Sequence, residues 1–424
     1  MTISRRSAMI GAATLLAAPL LARAQQGRAR LVILGGGFGG AAAARFARDT
    51  FPELDVTLIE RSRRFVTCPY GNLVLAGLRR MEDITFGYEG LTRLGVRVVH
   101  AEVAGIDPAQ RSVRIAGADA IPYDRLIVSP GIDIRWGALE GYDQAAAERL
   151  PHGWIPHLQP ITGLRRQLEA MPDGGVFLMA IPDNPFRCPP GPYERISMVA
   201  HYLKQAKPRS KVLALDAKGG FSKQPLFVDA WAELYGPMVE WVGGSTDGKV
   251  MRADAAAMEL ESEFGQRHKG AVINVIPPQA AASVAREAGL ANASGWCPVR
   301  PRTMESTLVP GIHVIGDAAI MAPMPKSGFA AASQAKQAVA AAAAALAGRE
   351  VPEAIFFNTC YSHVGTEYGI SVVGVYRSTD AGLAEVAGSG GISSRGRLPE
   401  QRRLEARYAD GWYASITQEI FAIA

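Results

Sequence analysis

The sequence predicts an α/β fold: two doubly wound, parallel-sheet units followed by a smaller α+β domain at the C-terminus. Three observations predict it. An apolar strand, Arg30 to Leu34, runs directly into a glycine-rich turn and an alanine-rich helix from Ala41. A second strand of the same kind, Gly175 to Ala180, follows in the middle of the chain but leads into a proline-rich turn. A third, Leu308 to Ile315, ends in Gly316-Asp317 and precedes a long alanine-rich helix, after which the composition changes. The chain has 424 residues, 48% of them apolar, which is enough for two or three cored domains.

Composition also excludes classes. The net charge is +5, and three arginines without an acid lie in the first 24 residues, leaving 5 − 3 = +2 for the rest. That balance does not mark a nucleic-acid binder. Four cysteines are too few for a disulfide scaffold. No run of 18 or more apolar residues suggests a membrane-spanning helix.

The N-terminus reads as an address. Ser4-Arg5-Arg6 precedes an apolar stretch from Ala8 to Leu21, which closes in Ala22-Arg23-Ala24. This is the layout of an export signal, and the paired arginines favour the twin-arginine route. Cleavage is expected after Ala24 and the destination is the periplasm, where disulfides are permitted.

In the first unit, Gly35, Gly37 and Gly40 fit the G-x-G-x-x-G pattern between strand and helix. Such a turn brings backbone N–H groups onto a pyrophosphate at a helix N-terminus. The next strand, Asp55 to Ile59, ends at Glu60, placed to hydrogen-bond an adenosine ribose. Tyr123 to Gly131 resembles the crossover segment of flavoproteins with two dinucleotide domains, with Ser-Pro-Gly replacing their usual Ala-Thr-Gly, and Gly316 and Asp317 stand where such flavoproteins hold the ribityl chain. FAD is therefore favoured over NAD. Beyond Asp317, the helix expected from about Phe329 to Ala347 points its positive end at the flavin pyrimidine ring, with Lys326 adding charge. Both units read as dinucleotide-binding (Rossmann-like) domains of the glutathione-reductase type. The expected partition is 1–24 signal, 25–150 with 285–350 for the FAD domain, 151–284 for the second unit and 351–424 for the C-terminal domain.

The second unit has lost its nucleotide fingerprint. Between Ile181 and Glu194 lie five prolines and one glycine, and proline has no N–H to offer a phosphate. A helix is expected near Tyr193 and a further strand at Val212 to Leu215. Electrons from NADH are not expected here.

Cys68, Cys188 and Cys360 occur singly, with no Cys-x2-Cys or Cys-x4-Cys spacing, so neither a local redox disulfide nor zinc is indicated. Spacing leaves Cys188 and Cys360 open between a structural disulfide, separate thiols and a long-range redox pair. Cys297 reads as a buried reduced thiol. The seven histidines show no metal or catalytic spacing, and no C-x-x-C-H haem site is present.

The stretches VTCPYGN, RCPPGPYERISM, NVIPPQ, GWCPV, GIHVIGDA, PMPKSG and NTCYS with YGISV enclose these cysteines. From about Ala29 onward the chain resembles the flavoprotein subunit of flavocytochrome c sulfide dehydrogenase. The resemblance implies FAD bonded through its 8α-methyl carbon to Cys68. It implies a redox disulfide between Cys188 and Cys360 and a separate cytochrome c subunit as electron acceptor. Hydrosulfide would attack the disulfide as a thiolate does, and Glu194, six residues after Cys188, would manage thiol protons. In that family the C-terminal domain helps build the disulfide site and the cytochrome interface. Competing readings are a sulfide:quinone oxidoreductase, an NADH dehydrogenase and a non-catalytic electron-transfer flavoprotein. Residues Ile370 to Tyr376 read as a strand, and Arg395, Arg397, Arg402, Arg403 and Arg407 as a solvated basic face.

Overall fold

A computed structural model describes residues 28–422. The export segment expected over 1–24 lies outside the described residues. The largest sheet has eight strands, ordered Ala319–Ile320, Cys297–Arg300, Glu305–Ser306, Ile312–Val314, Arg125–Val128, Arg30–Leu34, Asp55–Ile59 and Arg97–Val99. Its central pairs are parallel: Val32 lies between Thr57 and Leu126, and Val128 beside Val314. Strands from both sides of the central segment thus share one sheet.

The helix Phe38–Thr50 covers this sheet with Ala41, Ala42, Ala43 and Ala44 buried. Alanine at these positions lets the second alanine-rich helix, Gly328–Leu346, pack closely along it. Helix propensity and small volume act together here.

The second unit is a four-stranded parallel sheet in the order Val239–Val242, Lys211–Asp216, Val176–Ile181, Val272–Val275. Val176–Ile181 is apolar throughout because both its faces are covered. An antiparallel three-stranded sheet, Val250–Asp254, Glu259–Ser262 and Arg267–Lys269, is appended to it. The helix expected near Tyr193 begins at Gly191 and runs to Ala206.

The C-terminal domain is a long antiparallel hairpin, Ile355–Gly365 with Tyr368–Thr379, extended by Gly382–Glu385 and Gly391–Ile392. The helix Pro399–Phe421 lies across it. Pro399 supplies the pre-set φ of a first helical position. At Gly369 a Cβ would stand 2.4 Å from the Ala406 nitrogen, so only glycine admits this crossing. Tyr413 of the helix stacks on Tyr70 of the first unit at 4.1 Å between centroids, which ties the domain to the FAD unit.

The expectation of a solvated arginine face holds at Arg395, Arg397 and Arg407, which are exposed, and fails at Arg402. Arg402 is only 4% exposed and holds Glu405 at 3.0 Å, because it faces the hairpin rather than solvent. Arg395 is engaged by Asp229 at 2.7 Å and Arg403 by Glu400 at 3.0 Å.

Candidate active site

A cleft of about 430 Å³ runs from the first glycine turn to the C-terminal hairpin. Gly35 opens the turn at φ +94°, and a Cβ there would meet the Ser129 carbonyl oxygen at 2.2 Å. Gly37 caps the first helix without a side-chain hydrogen bond, so the leading N–H groups remain available to an anion. A Cβ on Gly40 would stand 1.7 Å from the Gly35 oxygen, so strand and helix require glycine to pack here. Glu60 accepts from the Gly36 N–H at 2.7 Å and the Ser62 N–H at 2.8 Å, fixing its carboxylate at the strand end. Gly131, Gly316 and Asp317 line the middle of the cleft, and Ser327 and Gly328 bring the second alanine-rich helix to its far end. The side chain of Ser327 caps that helix, accepting from Ala330 N–H at 3.0 Å. This succession of backbone cradle, fixed acid and helix terminus fits FAD.

The proline-rich turn does something else with the place of a nucleotide loop. It leaves the sheet at Ile181 and reaches the first unit, where the Cys188 N–H donates to the Lys326 oxygen at 2.8 Å. Arg187, which sequence reasoning missed, donates to Asp317 at 2.6 Å. Cys188 itself is held at φ +56°, a left-handed conformation that costs a non-glycine residue energy. Cys360 lies within the hairpin strand, opposite Val372. Fold and loop together bring Cys188 and Cys360 to one cleft as free thiols near enough to shift each other's ionisation, and Cys68 lines the same cleft.

The two thiols differ. Donation by the Cys188 S–H and the nearby Lys223 ammonium pull the Cys360 thiol down to about 7 against burial. Cys188 is pushed well up by that hydrogen bond and by burial. Lys223 is 4% exposed and donates to the Cys360 carbonyl at 3.0 Å and the Ser362 hydroxyl at 2.8 Å. It caps the helix Gln224–Tyr235 at φ +62°. Burial raises the Cys68 thiol, while Arg187 and Arg195 oppose the shift.

Three family models match the chain. One described as sulfide dehydrogenase (flavocytochrome c) flavoprotein chain, central, covers residues 162–277. One for the flavin-binding part of flavocytochrome c sulphide dehydrogenase covers 352–421, and one for pyridine nucleotide-disulphide oxidoreductases covers 29–151. The sulfide dehydrogenase flavoprotein chain of Chlorobaculum thiosulfatiphilum is 50% identical over 48 residues, 11% of this chain and 100% of that relative. The chain belongs to the flavocytochrome c sulfide dehydrogenase flavoprotein family. It is also 23% identical over 311 residues to the mitochondrial sulfide:quinone oxidoreductase of Mus musculus, covering 72% of this chain and 68% of that one. A crystal structure of the Aquifex aeolicus sulfide:quinone oxidoreductase shares the fold, with a TM-score of 0.69 and 18% identity over 93% of this chain and 92% of that one. The chain is thus a flavoprotein oxidoreductase of a sulfide-oxidising family.

Within this flavoprotein one expected contact is absent. The Lys326 ammonium does not line the cleft. It turns back onto the Asp317 and Ala319 carbonyls at 2.6 and 2.8 Å and lies 4.0 Å over the Trp296 ring. Cys297 is fully buried and free. Among the described residues no cluster of three His, Cys, Asp or Glu could hold a metal ion.

Glu194 lies in the first turn of its helix and lines the cleft, and burial raises its carboxyl to about 8 against the pull of Lys223. The unfolded chain releases this proton near 4.5. Its stabilising share is therefore full below about 4.5 and is lost as pH rises through about 8. Urea unfolding should show a loss of stability from pH about 5 to about 9 that is reduced in Glu194→Gln. An equal loss in both proteins would remove Glu194 as its source.

Proposed function

We propose that the chain oxidises hydrosulfide through a redox disulfide between Cys188 and Cys360, with a cytochrome c subunit as final acceptor in the periplasm. The contact between the two thiols, inside the cleft that also carries the glycine turn and Asp317, supports this reading most directly. A hydrosulfide attacks one sulfur of the oxidised pair, leaving a persulfide on that cysteine and a thiolate on the other. Lys223 holds negative charge at Cys360, and Glu194 exchanges protons with the thiols. Bound flavin supplies a two-electron acceptor that can release electrons singly to haem. Glu60, the turn glycines and Asp317 would hold it.

Anaerobic titration of the flavin-loaded protein tests the reading. Sulfide is expected to bleach the flavin, and NADH is expected to leave it oxidised because the turn after Ile181 offers prolines in place of phosphate-binding N–H groups. Bleaching by NADH and not by sulfide would overturn it. Similarity to the mouse oxidoreductase over 311 residues favours quinone as a second acceptor reading. Steady-state assays with cytochrome c and with a soluble ubiquinone separate the two. Among the described residues no helix is long and apolar enough to cross a membrane.

A covalent bond from Cys68 to the flavin is part of the proposal. Acid-precipitated protein is then expected to keep flavin absorbance, and Cys68→Ala to release it into the supernatant. Release from the unaltered protein would exclude the bond.

A further inference from the structure

Behind Cys188 lies a second, smaller chamber of about 40 Å³. Cys68, Trp154, Ile161, Cys188, Glu194 and Arg195 line it, whereas Cys360 lines only the main cleft. Its volume suits about two or three atoms of water size or slightly larger. The chamber carries a charge that the protein does not balance. Arg195 is 3% exposed, and its guanidinium donates only to neutral oxygens: Asn72 and Asn274 side chains at 3.0 and 3.1 Å, and the His152 and Gly153 carbonyls, both at 2.7 Å. It has no salt-bridge partner among the described residues. Burial lowers it only to about 10, so it remains a cation at neutral pH, where Glu194 keeps its proton. A buried cation without a counter-charge is costly unless an anion joins it. Trp154 lies 4.9 Å beneath the guanidinium, is 2% exposed, and its indole N–H has no partner. Cation and free N–H in one small, largely apolar chamber suit a soft, weakly hydrated anion.

We propose that this chamber is a sulfane-sulfur site: Cys188, not Cys360, receives the incoming sulfur, and the terminal persulfide anion lies against Arg195. The inference rests on the sulfide-oxidation reading and deepens it. The starting state is the Cys188–Cys360 disulfide, for which flavin, when bound, would be the two-electron oxidant of the thiol pair. Hydrosulfide attacks Cys188 Sγ. A sulfur–sulfur bond forms there, the bond to Cys360 breaks, and its electron pair leaves on Cys360 as thiolate beside Lys223. The hydrosulfide proton leaves the new terminal sulfur for solvent in the main cleft, giving the anion that Arg195 balances. The leaving group is the better thiolate of the pair, as the chemistry of exchange favours.

The test uses the flavin-loaded full chain, oxidised and then given one equivalent of hydrosulfide without oxygen. The flavin spectrum is recorded, and the protein is alkylated, digested with trypsin and weighed. One added sulfur atom is expected on the peptide Cys188–Arg195, with Cys360 alkylated directly and the flavin still oxidised, because the disulfide takes both electrons of the first equivalent; excess hydrosulfide is then expected to bleach the flavin. Added sulfur on the Cys360 peptide, or on neither while excess hydrosulfide still bleaches, overturns the assignment while leaving sulfide oxidation standing. No bleaching by excess hydrosulfide overturns the sulfide reading and this inference with it. In a second arm, Ile161→Phe fills the chamber and is expected to lose the sulfur added by one equivalent of hydrosulfide, read as thiocyanate after cyanolysis. An unchanged sulfur load in that variant overturns the chamber as the site.

Discussion

Cys360→Ser is expected to leave flavin bound while sulfide-dependent bleaching falls by roughly a thousandfold or more, the scale seen when a group acting within a catalytic unit is removed. The residues that would hold flavin lie in the first unit and at Asp317, and Cys360 makes no hydrogen bond to them. What disappears is the electrophilic sulfur–sulfur bond: a lone Cys188 thiol cannot accept electrons from hydrosulfide. Ser is smaller than Cys and keeps a hydrogen-bonding group, so the hairpin register around Val372 should persist. Cys188→Ser is expected to give a loss of the same order, and the double variant little more, because either change destroys the same bond. The measurement is stopped-flow absorbance under anaerobic conditions. Sulfide bleaching that survives in both single variants would place the reaction elsewhere in the cleft.

The sequence made the FAD unit legible because its signals are local. Strand, glycine turn, helix and the acid of Glu60 follow one another within 31 residues, and each glycine has a steric reason the structure displays. The altered turn after Ile181 was legible for the same reason: five prolines remove the groups a phosphate needs. Its purpose was not, because the loop's reach to Lys326 and Asp317 is a contact between distant segments. The pairing of Cys188 with Cys360 came from family resemblance, since spacing across 172 residues carries no geometry. Lys326 was misplaced by proximity in sequence: its backbone does meet the cysteine loop, but its side chain turns away to carbonyls. Arg187, Arg195 and Lys223 were missed altogether. A charged residue on an apolar helix face or before a helix is the one local sign they leave, and only tertiary packing shows that they are buried. The positive φ of Cys188 and Lys223 would have been no easier to read, since neither is a glycine or asparagine.

Lys223 carries the second large effect. Its ammonium is buried beside Cys360, and burial lowers its own affinity for a proton while the thiols and Glu194 raise it. Lys223→Met keeps the length of the stem and removes the charge. Without the cation the Cys360 thiol should rise from about 7 toward its ordinary value of 9.0, because the positive charge favours the thiolate. Below the thiol pKa, each unit of that rise removes about tenfold of thiolate. Because Lys223 is the smaller of the two lowering causes, after the hydrogen bond from Cys188, we expect sulfide-dependent bleaching to fall by up to about tenfold at neutral pH and to recover in part above pH about 9. A structural loss would lower the rate at every pH alike, so the recovery identifies the charge. Iodoacetamide alkylation of Cys360 in the reduced protein, followed against pH, reads the same shift without sulfide. If the alkylation midpoint in Lys223→Met matches that of the unaltered chain, the ammonium does not set the thiol's ionisation. The hydrogen bond from Cys188 then remains the sole cause of the asymmetry between the two cysteines.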